Sequence, residues 1–243
     1  MRNNTQLITS YTQTALFLLL AARCIFTWSR AKDRRSAHLA VATSLYSINS
    51  LISAINTTIY KPIVEQPPRW ESILSSFILY AAVYAFLLFL ADFVQFPSWL
   101  KWLAAASTVV NMLLSIFIHA EVKIVGGRLV ITHRTYVLYV LAYLAVAFGI
   151  LGFTFLFYGM RVHGLARFRL ASIGTAFTIL FVLIGLLPLL LFENPTTKQL
   201  STLTTYFSWI GLATAPMLYV GFATPRWISK IFEGGPEIAS TPA

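Results

Sequence analysis

The chain has 243 residues, of which 58% are hydrophobic and 11% charged, with a formal net charge of +10. A soluble domain carries roughly 25% charged residues, so the composition excludes an ordinary water-soluble fold. The basic residues gather at the ends of long apolar runs, where they meet lipid headgroups, which points to membrane lipid as a partner and away from nucleic acid.

In chain order the apolar runs are 8–28, 37–60, 73–96, 99–119, 136–160, 168–192 and 203–223. At about 1.5 Å per residue each is long enough to cross roughly 30 Å of hydrocarbon. They predict an all-α membrane protein, a seven-transmembrane-helix bundle over residues 1–224. The first run has no basic segment before it and no small-residue cleavage pattern after it, so it reads as a retained helix and not a signal peptide. Cys24 is the single cysteine, which rules out an intrachain disulfide or a cysteine-based zinc site.

Lysine and arginine counts set the expected orientation. Eleven of the eighteen fall on one side, densest at Arg30, Lys32, Arg34 and Arg35 after the first run, and again at Arg161, Arg167 and Arg169. That side is expected to be cytoplasmic, with the N-terminus outside the plasma membrane. Little more than Pro97-Ser98 separates the third and fourth runs, so these helices should be antiparallel neighbours. The outer segment Glu121–Thr132 alternates β-branched and polar residues around Gly126-Gly127, a hairpin signal. After the bundle, residues 225–243 open with Pro225-Arg226-Trp227, place Trp227, Ile228, Ile231 and Phe232 on one face, and then run into a disordered tail. That opening suits a short amphipathic helix on the inner membrane surface.

Polar residues inside the runs mark the candidate site. Tyr46, Asn49, Ser53 and Asn56 share a face of the second helix, joined by Tyr80 and Tyr84 on the third, Asn111 on the fourth, Tyr139 and Tyr143 on the fifth, and Trp209 on the seventh. Two readings are open. These groups line an outward-opening cavity for a small, weakly polar ligand, or they are interhelical hydrogen-bonding groups and an interfacial tyrosine belt. Two charges fall within the runs at nearly equal depth, Arg23 and Asp92. They either pair near the cytoplasmic face or reach separately for headgroups. Glycines 149, 152, 174, 185 and 211 are expected to let helices approach closely, and Pro188 and Pro216 to kink theirs.

The remaining chemistry is thin. No lysine lies between Leu203 and Ala223, so a retinal Schiff base has no anchor. His38, His119, His133 and His163 are scattered without metal-ligand spacing. Neither a phosphate loop nor a nucleophile elbow is present. The expectation is a protein that is not an enzyme and needs neither cofactor nor metal.

The basic loop after the first helix, the polar second helix, the tight 3–4 joint, the long 4–5 loop and the segment Arg161-Val-His-Gly-Leu-Ala-Arg-Phe-Arg169 form a layout. It resembles the seven-helix sensor region of bacterial histidine kinases and is similar to stand-alone bacterial seven-helix proteins ending in a Pro-Arg-Trp-like segment. The resemblance implies a receptor or sensor without its own output domain, signalling through a separate cytoplasmic partner. That partner would meet Arg30, Lys32, Arg34, Arg35, Arg161, Arg167 and Arg169. A small-solute transporter or a membrane scaffold would use the same bundle.

Overall fold

A computed structural model of the chain describes residues 4–60, 67–94, 96–118, 120–125, 128–192 and 196–233. The architecture is an all-α bundle. Its helices are α1 (Asn4–Ala31), α2 (Arg34–Ile59), α3 (Arg69–Ala91), α4 (Ser98–Phe117), α5 (Arg134–Met160), α6 (Gly164–Phe192), α7 (Thr197–Ala223) and the short α8 (Arg226–Glu233). Between α4 and α5, β1 (Val122–Val125) pairs antiparallel with β2 (Arg128–Ile131), Val122 opposite Ile131. The hairpin turn at Gly126-Gly127 lies outside the described residues.

Helices α1 to α6 are each long and apolar enough to cross a membrane, and α7 has an apolar stretch over Trp209–Ala223. Large apolar side chains cover the outside: Trp70, Trp102, Val146, Phe117 and Met160 are each more than 60% exposed. Water would penalise so continuous an apolar surface, whereas lipid does not. The polypeptide is thus built as a multi-pass membrane protein.

Helices α1, α2 and α3 pack in sequence, α7 packs on α1, α6 on α7 and α5 on α6, and α5 closes the ring against α3. Helix α4 packs on the outside of α3. The core inside the ring is aromatic, with Phe86, Phe89, Phe148, Phe155 and Phe177 all buried. Close approach of α5 and α6 rests on Gly152 and Gly174, whose missing side chains bring the two backbones together. Gly149 faces the Phe181 ring and Gly211 faces Gln13, but among the described residues nothing lies within 4 Å of a Cβ at Gly185.

Helix α3 departs from the expected run, ending at Ala91 with Asp92 as its cap instead of continuing to residue 96. Proline at 97 disfavours helical geometry at Phe96, and α4 starts at Ser98, so the 3–4 joint is longer than the two residues expected, with residue 95 outside the described residues. Pro188 and Pro216 lie inside continuous helices. Helix α8 turns Ile228 inward and sets Phe232 against Phe168 of α6, ring centroids 5.4 Å apart, while Trp227 faces out.

Asp33 starts α2: its carboxylate accepts the Ser36 backbone N–H at 2.7 Å. That bond holds the Asp33 carboxyl below its ordinary value of 3.8. A carboxyl depressed in the folded state adds stability above its unfolded value and loses it as pH falls through the folded one. Acid titration of thermal stability should therefore show a loss below about pH 4 that is smaller in Asp33→Asn. Identical acid profiles for the two proteins would remove the cap from this account.

Candidate functional site

The basic residues expected on one face do collect at one end of the bundle. Arg30, Lys32, Arg34, Arg35, Arg161, Arg167 and Arg169 are all exposed there, around the α1–α2 and α5–α6 turns. A vestibule of about 810 Å³ opens among them, lined by residues including Thr27, Arg34, Arg35, Asp92, Arg169 and Phe222. Arg169 Nε donates to the Gly221 carbonyl at 3.1 Å. This bond ties the start of α6 to the end of α7, where carbonyls lack helical partners.

Asp92 forms its ion pairs with α2 and not with α1. Its Oδ2 lies 2.7 Å from His38 Nδ1, and its Oδ1 lies 3.7 Å from Arg34 Nε. Arg34 and His38 are four residues apart, so both point from one face of α2 toward the end of α3. The expected Arg23–Asp92 pair is not formed. Arg23 projects outward from α1 and stands 5.8 Å from the Phe26 ring, which also receives Arg30 at 4.2 Å. The equal depth expected from the sequence did not make the two charges neighbours, because α1 turns Arg23 away from the ring interior. The i, i+4 pair Arg34/His38 was the sequence signal for the true partners.

The expected outer cavity is divided. Tyr46, Asn49 and Ser53 line a polar pocket of about 180 Å³ with Ser10, Gln13 and Ser50, between α1 and α2. Tyr84 and Tyr143 line a separate groove of about 140 Å³ between α3, α4 and α5. Tyr80 is buried, its ring edge-on to Tyr143 at 6.0 Å. Asn111 is fully buried and donates to the Ser107 carbonyl of its own helix at 2.7 Å, leaving its Oδ1 without a partner, as is Asn56 Oδ1. Tyr139 and Trp209 are 41% and 52% exposed and face outward. The ten residues therefore do not share one cavity.

Much of the α2 stripe joins helices. Thr14 Oγ1 lies 3.0 Å from Ser50 Oγ, Ser47 Oγ is 2.7 Å from the Phe17 carbonyl, and Ser75 donates to Asn49 Oδ1 at 2.8 Å. On this helix part of the stripe is interhelical hydrogen bonding and part lines a small pocket. The vestibule at the basic end and the α3–α4–α5 groove were not foreseen, since each is made by helix ends or faces far apart in sequence.

Compared with protein-family models, characterised proteins and solved structures, the chain matches none of them.

Proposed function

We propose that this chain is a receptor-like module of the plasma membrane with seven spans and its N-terminus outside. A small, weakly polar ligand or a change in the membrane acts at the Tyr46 pocket. The response passes to a separate cytoplasmic partner at the vestibule, as the resemblance of the layout to histidine-kinase sensor regions implies. One observation supports this reading above transport or scaffolding: a continuous run of ring contacts joins the two compartments. Tyr46 meets Phe86 at 6.4 Å, Phe86 stacks on Phe222 at 6.2 Å, and Phe222 meets Phe89 at 5.6 Å. Phe89 and Phe222 line the vestibule, and Tyr46 lines the pocket. Packed rings have discrete arrangements, so a displacement at one end can bias the other. The same rings fill the middle of the bundle, which suits coupling better than passage of a solute.

The test is photo-crosslinking in intact cells of the native host, with a photoreactive residue at Arg35 or Ala166 in the vestibule and at outward-facing Val110 as control. The expected result is one recurrent cytoplasmic protein attached from the vestibule positions and not from position 110. Its yield should change at least about twofold in Tyr46→Ala, the lower range of energetic coupling between distant sites. Adducts to lipid or to the chain itself alone would sink the receptor reading. A solute flux in proteoliposomes that needs no partner would replace it with the transporter.

A further inference from the structure

Helix α4 stands outside the helix ring, and the groove it leaves against α3 and α5 faces the surroundings of the bundle. We propose that this groove binds one acyl chain of an anionic phospholipid, with the lipid phosphate on Lys101. The walls are apolar, formed by side chains such as Leu87, Ala91, Leu103, Ala104, Val146 and Ile150. Lys101 lies at the mouth, exposed, and no described carboxylate comes within 4.0 Å of it. Beside it Trp99 and Trp102 are 65% and 76% exposed. Tryptophans settle at the headgroup level of a bilayer, which puts the Lys101 ammonium at phosphate depth.

The dimensions agree with that depth. The α4 wall from Leu100 to Ser107 rises about 10 Å at 1.5 Å per residue, some two-thirds of the roughly 15 Å of hydrocarbon in one leaflet. At the deep end, Thr108 Oγ1 and Tyr143 Oη lie 2.9 Å apart and satisfy each other. The groove therefore offers a cation at the membrane surface and dispersion contacts below it, and the Tyr143 hydroxyl at its deep end already has a partner. An acyl chain restores the van der Waals contacts that an unfilled groove would forgo, while the ammonium selects an anionic headgroup. This site is independent of the signalling reading above.

The test uses the whole protein in nanodiscs containing a photoactivatable phosphatidylglycerol with a diazirine on one acyl chain, and mass spectrometry to map the adducts. Adducts should concentrate on α3, α4 and α5 groove residues. Excess phosphatidylglycerol should displace them more readily than phosphatidylcholine. Lys101→Gln should reduce that preference about fivefold, the worth of one lysine near an anionic surface. Ala104→Phe should remove the groove adducts while Lys101→Gln retains them. Thermal melting of both variants shows that each is folded. Adducts spread evenly around the bundle, or a headgroup preference unchanged in Lys101→Gln, would overturn the proposal. So would efficient crosslinking of Leu103→Cys between two copies, since a second copy would then cover the groove.

Discussion

Gly152→Val is expected to destabilise the bundle by about 3 kcal/mol, the upper part of the range for overpacked interiors, and to lower the yield of folded protein. A Cβ at position 152 would lie 2.5 Å from Thr178 Oγ1, 2.7 Å from the Thr178 backbone nitrogen and 3.1 Å from its Cα. A side-chain tip could swing aside, but a helical backbone cannot, so α5 and α6 would have to separate. The contact is reciprocal: a Cβ at Gly174 would lie 2.7 Å from the Leu156 backbone nitrogen and 3.0 Å from the Gly152 carbonyl. Without a hydrophobic force between helices in lipid, such close packing is a main source of association. Gly185→Ala provides the contrast. Among the described residues nothing lies within 4 Å there, and alanine is favoured over glycine in a helix by about 0.8–1 kcal/mol, so this variant should melt slightly higher. Detergent-unfolding curves of both proteins decide the matter, and equal losses at the two positions would refute the assignment of the α5–α6 contact.

His38→Leu is expected to be the second most damaging change, at about 2 kcal/mol, the scale of a charge-assisted hydrogen bond whose partner is left behind. The Asp92 side chain is 15% exposed and the His38 side chain 20%, with 2.7 Å between their polar atoms. Removing the imidazole leaves the carboxylate facing only Arg34, 3.7 Å away on a side chain that is 78% exposed. Arg34→Gln should change stability by less than about 0.5 kcal/mol, because an ion pair so open to water is weak. Combining His38→Leu with Asp92→Leu should recover most of the loss, since an apolar pair of similar volume replaces a part-buried polar one at little net cost. With Asp92→Leu measured alone, the wild type, the two single variants and the double variant form a double-mutant cycle, and Arg34→Gln is the exposed reference. A loss from Arg34→Gln equal to that from His38→Leu would show that the arginine, and not the histidine, holds the end of α3 to α2.

These two results bear on function differently. The glycine contact fixes the frame that holds α5 and α6, while the Asp92 contact borders the vestibule where a partner is proposed to dock. A His38 substitution that changes partner crosslinking more than it changes melting would tie the ion pair to signalling, and proportional changes would make it purely structural.

Composition, run length and polarity determined that the chain is a helical membrane bundle, because lipid admits only segments that satisfy their own backbone hydrogen bonds and expose apolar side chains. Local signals also reached the antiparallel pairing of Val122–Val125 with Arg128–Ile131 and the gathering of the basic turns at one end. Helix ends were less legible: Asp92 and the residue before Pro97 stop α3 early, where hydropathy alone runs on. What only the tertiary structure decided is which faces meet. Hydropathy gives depth along the membrane normal but not rotation of a helix about its axis. Arg23 and Asp92, expected at similar depth, thus point to different places, while Arg34 and His38 reach Asp92. For the same reason Tyr46, Tyr84 and Trp209 all looked like cavity-lining groups yet belong to a pocket, a groove and the outer surface. Rotation is set by glycine contacts and interhelical hydrogen bonds between residues remote in sequence, and one chain read alone carries no record of them.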